Sequence, residues 1–261
     1  MARLLAIDGL NIVRRMYEAS PEPDSDDKAL TALRYAQSAL HKLLRQHVPS
    51  HVLLAFDAGG PTWRHDLYAG YRAGRTPMPD VLKSALAPWQ AQLRAQGWPL
   101  LAIEGVEADD VLATAVQRWL AEGRGEAVVA STDKDLHSLI AQGALLWDPF
   151  KGVWHDAAWV EAKWGVVPAQ LADLLALMGD PADAIPGVSG VGVKTAARLL
   201  RTYGTLEGIL AGAGILQDRL GITLRKEKEM LYLSRQLVEL KTDVRLGVSW
   251  NMLAWSGPGG V

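Results

Sequence analysis

The chain has 261 residues, of which 49% are hydrophobic and 21% are charged. This length and composition are typical of a globular protein with one large or two modest domains, so disorder is not the default expectation. The sequence has no cysteine, which excludes disulfides and thiolate metal sites and favours a reducing compartment. Because no apolar run approaches about 18 residues, we expect no membrane span and predict a soluble, cytoplasmic protein.

Apolar runs and helical patterns alternate along the first 165 residues. The runs predict strands at 3–8, 51–56, 100–103 and 127–131. Between them, spacings typical of amphipathic helices predict a helix that carries Arg14 and Arg15 and helices at about 30–46, 80–96 and 111–120. This alternation predicts a parallel α/β sheet, in which ligands gather at the carboxyl ends of the strands.

Acidic residues lie at the end of every one of these predicted strands or soon after it. They are Asp8, Asp57, Glu107, Asp109, Asp110, Asp133 and Asp135. Acids in a first helical turn complement the helix dipole, but this accounts for one or two carboxylates at 107–110 and not for three. A solvated loop accounts for any one of the seven and poorly for all of them. Crowded carboxylates repel one another, and hard divalent cations such as Mg²⁺ bind their oxygens, so a metal site is the interpretation that covers the set.

The pattern changes after the short strand pieces expected between 145 and 154. We place a soft boundary near Gly165 and predict helices at 171–178, 196–203, 206–211 and 225–237. Between the first two lies the glycine-rich turn Ile185–Ala196, whose amide groups, with the following helix N-terminus, suit a phosphate. A plain helix–helix turn is the alternative. The tail from Leu246 supports no prediction.

A basic segment precedes the second half of the sheet. Tyr71, Arg72 and Arg75 lie close together in it, followed by the proline-containing stretch 76–79. On composition alone, a solvated basic helix is the simpler interpretation of this segment.

The motifs, in their order, resemble those of the 5′-nuclease family, which includes the flap endonucleases and the 5′-3′ exonuclease domain of bacterial DNA polymerase I. The resemblance extends from Asp8 to about Val244. It rests on Ile7-Asp8-Gly9 with Arg15 seven residues beyond Asp8, Phe56-Asp57-Ala58, the segment 71–79, Glu107-Ala108-Asp109-Asp110, Thr132-Asp133-Lys134-Asp135, Gly179-Asp180-Pro181-Ala182-Asp183 with Ile185-Pro186-Gly187-Val188, and Leu240-Lys241-Thr242-Asp243-Val244.

The resemblance implies an architecture. Residues 1–165 would form a PIN-like parallel-sheet nuclease core with a helical arch at about 60–98. Residues 166–245 would form a helix-three-turn-helix region that binds DNA, followed by a C-terminal tail at 246–261.

The resemblance also implies site residues. Two Mg²⁺ or Mn²⁺ ions would be held, the first by Asp8, Asp57, Glu107, Asp109 and Asp110 and the second by Asp133, Asp135, Asp180 and Asp183. The displaced 5′ end and its phosphates would be positioned by Arg15, Tyr71, Arg72 and Arg75, with the tyrosine stacking on a base. Duplex DNA would contact Gly190, Gly192, Lys194 and Thr195, and the backbone of Val188 and Val191 would bind K⁺.

The net charge of −2 does not argue against a DNA-binding protein. With the nine candidate metal ligands set aside, 27 basic residues face 20 acidic ones, so a basic surface remains available for phosphate.

The expected function is therefore that of a monomeric, structure-specific 5′ nuclease that acts on DNA with a 5′ flap or a free 5′ end. A branched-DNA-binding protein with a structural or defunct metal site is an alternative, which the complete carboxylate set disfavours. A ribonuclease of the related PIN type would leave the glycine turn and the C-terminal helices without a role. Two residues depart from the family pattern: Arg72 replaces a common lysine, and Ala184 replaces a common asparagine.

Overall fold

The computed structural model describes residues 2–214 and 218–257, so residues 258–261 of the predicted tail lie outside the described residues. The chain divides into two compact units. Unit 1 comprises Met1–Gly60, Pro77–Trp154 and Lys241–Val261, and unit 2 comprises Pro61–Thr76 and His155–Leu240. This division differs from the predicted domains in two ways, since residues 61–76 join the C-terminal helices and the chain returns to unit 1 at Lys241.

The strands are β1 (Ala2–Asp8), β2 (His51–Ala55), β3 (Leu100–Leu101), β4 (Gly125–Ala130), β5 (Leu145–Asp148) and β6 (Val153–His155). The α-helices are α1 (Gly9–Glu18), α2 (Asp26–His47), α3 (Trp63–Leu67), α4 (Asp80–Ala95), α5 (Ala108–Ala121), α6 (Ala157–Trp164), α7 (Leu171–Met178), α8 (Val193–Tyr203), α9 (Leu206–Ala213), α10 (Arg219–Lys226), α11 (Lys228–Val238) and α12 (Trp250–Leu253). Two 3₁₀-helices cover Asp135–Gln142 and Pro168–Gln170. Along the described chain, no helix has the length and apolar character needed to cross a bilayer.

The sheet of unit 1 is built around β1. Its six strands lie in the order β3-β2-β1-β4-β5-β6, and β1 pairs in parallel with β2 and β4. Leu4 to Ile7 are completely buried, which explains why this run is apolar without alternation. In the register, Asp8 lies opposite Ala55 of β2, and Ile7 lies opposite Ala130 of β4. The residues that follow β1, β2 and β4 therefore reach the same edge of the sheet.

Helices α2 and α5 of unit 1 extend beyond their predicted bounds. Helix α2 begins at Asp26, earlier than the predicted residue 30, because the Ser25 side chain accepts a hydrogen bond from the Lys28 amide and caps the helix. Helix α4 matches its prediction closely even though it contains Pro88. Its Trp89 and Leu93 are buried in the same apolar core as Phe56, so packing stabilises this helix.

Unit 2 is a helical assembly with its own apolar core. The predicted helix 225–237 is wrong in one respect, since α10 and α11 are separate helices that meet at Glu227. Helix α10 begins after Asp218, whose side chain accepts the Gly221 amide. Arg64 of α3 is buried and donates to the carbonyls of Leu237 (2.7 Å) and Glu239 (3.1 Å), which ties residues 61–76 to the C-terminal helices.

Candidate metal centre and nucleic-acid interface

The carboxyl edge of the sheet in unit 1 carries a crowded group of carboxylates. Asp8, the last residue of β1, also caps α1 by accepting the Asn11 amide at 3.0 Å. Its second oxygen accepts the hydroxyl of Ser131, which follows β4, at 2.9 Å. Asp8 is therefore held by one bond from its own helix and one from the neighbouring strand.

Burial and mutual repulsion raise the pKa of two of these groups. Burial raises the pKa of Asp8 to about 7, with further contributions from the charges of Asp133 and Asp57. Burial likewise raises the pKa of Asp109 well above its usual range, and the charges of Asp133, Asp8, Asp57 and Asp135 add to that effect. The structure thus brings together five of the predicted ligands, which arrive from β1, β2, α5 and the loop after β4.

The remaining contacts orient these carboxylates. Asp57 accepts the Ala108 amide at 2.8 Å, and Glu107 occupies the N-cap of α5, where it is buried. Asp133 accepts the Asp135 amide at 3.0 Å, and the Asp133 amide itself donates to the Ser131 hydroxyl at 3.0 Å. The bonds from the Ala108 and Asp135 amides each use one carboxylate oxygen, Oδ1 of Asp57 and Oδ1 of Asp133.

The donor set suits a divalent cation. Carboxylate oxygens are hard ligands, and the raised pKa values of Asp8 and Asp109 mean that their negative charge lacks sufficient compensation from the protein. Within residues 2–214 and 218–257, no three Asp, Glu, His or Cys side chains are already arranged as a metal-binding group. The residues fit the cation in the chemistry of their ligand atoms.

Asp110 has a different environment from Asp109, its neighbour on α5. It is completely buried and accepts the Lys241 amide at 2.9 Å. The main charges that raise the pKa of Asp8 and Asp109 come from other carboxylates, Asp133 foremost among them. The two adjacent aspartates therefore face different parts of unit 1.

Arg15, predicted to position the 5′ end, lies exposed on α1 in unit 1. Its guanidinium carbon lies 5.4 Å from the centroid of the Phe150 ring. This cation–π contact places the side chain without neutralising its charge.

The acidic and basic site residues of unit 2 pair with one another. The Arg72 side chain donates to the Asp183 carboxylate at 3.1 Å, and Arg75 lies 3.7 Å from the same oxygen. The Arg72 amide also donates to the Asp183 carbonyl at 2.9 Å. Asp180 is buried, accepts the Ala182 amide at 2.9 Å and forms a backbone bridge with Ile185. The assignment of Asp180 and Asp183 to a second metal ion stays a prediction.

Tyr71 is placed in the apolar core of unit 2, with only 4% of its surface exposed. Its ring makes an edge contact with His65 at 5.2 Å between centroids, and the Arg72 guanidinium lies 5.1 Å from its centroid. Stacking of Tyr71 on a base stays a prediction, and it requires this ring to move out of the core.

The glycine turn between α7 and α8 depends on close backbone contacts. A Cβ on Gly187 would lie 2.3 Å from the Gly179 nitrogen, and both glycines have positive φ, so residues with side chains do not fit here. The Val188 amide donates to the Leu177 carbonyl, and the Val188 carbonyl accepts the Val191 amide at 3.0 Å. K⁺ binding by Val188 and Val191 stays a prediction.

The exposed side of the same turn carries the predicted DNA contacts. Gly190, Gly192 and Lys194 are exposed, Thr195 is partly exposed, and Gly192 forms the N-cap of α8. The Ser189 amide is occupied by the Glu227 carboxylate at 2.8 Å, a bond that lowers the pKa of Glu227. An anion at this turn would therefore use amides other than that of Ser189.

The sequence prediction missed the polar residues that orient the carboxylates. Besides Ser131, the Asn11 side-chain oxygen accepts both the amide and the hydroxyl of Thr132, at 3.3 and 3.1 Å. The available signal was the pair Ser131-Thr132 directly before Asp133, since hydroxyl groups beside clustered acids supply donors to them.

Two family descriptions together cover almost the whole chain. Residues 3–165 match the "5′-3′ exonuclease, N-terminal resolvase-like domain", and residues 166–259 match the "5′-3′ exonuclease, C-terminal SAM fold".

Curated relatives match over nearly their full length. Proteins named flap endonuclease Xni from Shewanella baltica and Shewanella amazonensis are each 40% identical to this chain, over 249 and 246 residues. The alignments cover 95% and 94% of this chain and 93% and 95% of those relatives.

Solved structures share the fold at lower identity. T5 5′-exonuclease bound to zinc matches with a TM-score of 0.76 at 21% identity, covering 92% of this chain and 90% of the other. The catalytic core of Rad2 in complex with DNA substrate matches with a TM-score of 0.59 at 17% identity, covering 98% of this chain and 83% of the other. These similarities confirm the α/β core followed by a C-terminal helical region.

Proposed function

Because the chain belongs to the 5′-3′ exonuclease family, we propose that it is a structure-specific 5′ nuclease that hydrolyses phosphodiester bonds in branched DNA. The observation that carries this proposal is the group of mutually repelling carboxylates where β1, β2 and β4 end, in a chain 40% identical to flap endonucleases over nearly its full length. Such a group is costly to bury unless a cation compensates it, so its presence requires a functional reason.

The cofactor in this proposal is a divalent metal, as in the T5 5′-exonuclease structures with bound metal ions. Asp8, Asp57, Glu107, Asp109, Asp133 and Asp135 are the residues of unit 1 that would hold it. Divalent cations bound here would activate a water molecule and stabilise the leaving oxygen of an in-line displacement. The proposal further includes the identity and number of the ions. Two ions, either Mg²⁺ or Mn²⁺, would bind this site, and K⁺ would bind the glycine turn.

The protein's own groups have distinct tasks in this proposal. The hydrogen bonds from Asn11 and Ser131 hold the Asp8 carboxylate in one orientation, which keeps a ligand in place before the cation arrives. Arg72 and Arg75 supply positive charge for phosphate, and in the structure the carboxylate of Asp183 offsets part of that charge.

The DNA partner is supported by the Rad2 core and a T5 flap endonuclease, both of which match this chain as complexes with DNA. We assign Lys194 and the amides around Gly190 and Gly192 to the backbone of the duplex, because an exposed helix N-terminus with a lysine suits phosphate. A 5′ flap or free 5′ end as the preferred substrate, a monomeric state and a cytoplasmic location complete the proposal.

The non-catalytic alternative is disfavoured. A protein that only bound branched DNA would gain nothing from burying carboxylates that repel the DNA phosphates, and the relatives at 40% identity are named as endonucleases. A PIN-type ribonuclease would not need the SAM-fold region that the family description assigns to residues 166–259.

The direct test uses the purified full-length chain. It is incubated with 5′-labelled flap, nicked and single-stranded DNA, in Mg²⁺ or in chelator, and the products are sized. We expect cleavage near the branch of the flap substrate in Mg²⁺ and none in chelator. Equal cleavage of all three DNAs would contradict structure specificity, and binding without any cleavage would favour the alternative.

A further inference from the structure

The motif Leu240-Lys241-Thr242-Asp243-Val244 has no role in the chemistry described above. Its residues Lys241–Val244, here called the strap, begin where the chain returns from unit 2 to unit 1. The strap has no regular secondary structure, so its backbone groups must find hydrogen-bond partners outside a helix or a sheet.

Two side chains of α5 supply those partners. The Lys241 amide donates to Asp110 Oδ1 at 2.9 Å, and the Lys241 carbonyl accepts the Thr114 hydroxyl at 3.2 Å. The Val244 amide donates to Thr114 Oγ1 at 3.3 Å. Asp110 and Thr114 are one helical turn apart and both are completely buried, so they form one continuous anchor for the strap.

This anchor gives Asp110 a different task from Asp109. Consecutive residues of a helix point about 100° apart, so both side chains cannot face the same ligand equally. Asp109 is partly exposed and feels the charges of four other carboxylates, whereas Asp110 is enclosed and bonded to the strap. The family resemblance implies that both residues are metal ligands, but in the structure they have different partners.

We propose that Asp110 is a positioning residue that anchors the strap to the first turn of α5, and that it does not bind the metal. By fixing that turn through the strap, Asp110 and Thr114 hold Asp109 and the N-cap residue Glu107 in place. The part of this proposal that concerns the metal rests on the proposed function; the anchoring itself does not.

The test compares Asp110→Asn, Asp110→Ala and Asp109→Asn in the full-length chain. Trypsin in chelator, without DNA, reports on the strap, since Lys241 and Arg245 are exposed cleavage sites whose backbone must open locally before it is cut. We expect Asp110→Ala to be cut there at least about tenfold faster than wild type. Asp110→Asn keeps an acceptor oxygen, and Asp109→Asn does not touch the strap, so both should be cut within about threefold of wild type.

Mg²⁺ binding, measured by calorimetry, provides the second readout. Asp109→Asn should weaken it at least about tenfold, and Asp110→Asn should leave it within about threefold of wild type. If Asp110→Asn weakened Mg²⁺ binding as much as Asp109→Asn while its strap stayed protected, Asp110 would be a metal ligand and the proposal would be overturned.

Thr114 provides an independent check in case Asp110→Ala does not fold. Thr114→Val removes the hydroxyl at nearly constant shape and should expose the strap to trypsin, whereas Thr114→Ser should restore protection. Equal protection of both variants would overturn the anchor. A wild-type protein that neither bound Mg²⁺ nor cut DNA would remove the proposed function but would leave the comparison in chelator intact.

Discussion

The acidic residues of the two units are in opposite electrostatic situations. In unit 1, Asp8 and Asp109 are surrounded by other carboxylates, and their pKa values are raised. In unit 2, Asp183 is paired with Arg72 and Arg75 at 3.1 and 3.7 Å. The same residue type is therefore surrounded by like charges in one unit and has protein cations beside it in the other. A carboxylate in a nuclease motif is not by itself a metal ligand, because its neighbours decide how much charge remains for a metal.

The largest expected effect comes from removing a charge in unit 1. Asp133→Asn should lower single-turnover cleavage of flap DNA in Mg²⁺ at least about a thousandfold, corresponding to roughly 4 kcal/mol, because the cation loses a charged ligand. Binding of the same DNA in Ca²⁺ should be unchanged, since the duplex contacts are assigned to other residues. A wild-type cleavage rate would remove Asp133 from the metal site.

Asp183→Asn is the matched variant in unit 2. If Asp183 serves mainly to balance Arg72 and Arg75, its cleavage defect should be clearly smaller than that of Asp133→Asn. An equal defect would mean that the ion pair opens and Asp183 reaches a metal, as the family resemblance implies.

Substitution of Arg72, the cation of this ion pair, should have the next largest effect. Arg72→Ala should lose at least about a hundredfold in single-turnover rate, or roughly 2.7 kcal/mol, whereas Arg72→Lys should stay within about tenfold, because charge at the phosphate matters more than the shape of the donor. Saturating enzyme separates this effect from DNA binding. A wild-type rate for Arg72→Ala would exclude Arg72 from the active site.

The uncompensated charge of unit 1 predicts a dependence of stability on pH. The pKa of Asp8 rises from 3.8 to about 7 on folding, so the native state holds a proton that the unfolded state releases. Stability in chelator should therefore fall as the pH rises from about 4 to about 7, by up to about 1.4 kcal/mol per pH unit from this group. Denaturant titrations of wild type and Asp8→Asn check this, and identical slopes for the two proteins would contradict it.

Lys194 is an exposed cation of unit 2, unlike Arg72 and Arg75, which lie beside Asp183. Lys194→Ala should weaken binding of duplex DNA of any sequence about threefold to tenfold and lower the salt dependence by roughly one unit of log K per log salt, since one phosphate contact is lost. Filter binding in Ca²⁺ over a range of salt concentrations measures the slope. An unchanged slope would make Lys194 a solvated surface residue.

The smallest effect concerns the backbone of the loop that carries Asp183. Ala184 has φ of 55°, a conformation that alanine adopts at a cost and asparagine tolerates better. Ala184→Asn should stabilise the protein by about 0.5–1 kcal/mol in thermal or denaturant unfolding. Ala182→Asn, on the same loop without a positive φ, is the control and should give no gain.

The sequence by itself determined the strands, most helices and the acids that follow the strands. Buried parallel strands require continuous apolar runs, and such runs can be identified from the sequence alone. Residues 3–8 and 127–131 are examples. The predicted metal residues Asp8, Asp57, Asp109, Asp133 and Asp135 meet in unit 1 because parallel strands bring their carboxyl ends to one edge.

Only the tertiary structure decided which partner each polar group has. Helix periodicity does not distinguish the roles of Asp109 and Asp110, since adjacent residues differ only in the direction they face. Asp110 differs because it accepts a hydrogen bond from the strap, which lies more than a hundred residues later in the sequence. The same holds for Arg72 with Asp183 and for Tyr71, whose burial depends on helices from the far end of the chain. Hydrogen bonds and ion pairs act over a few ångströms, so the fold must first bring distant segments together before any of these roles is fixed.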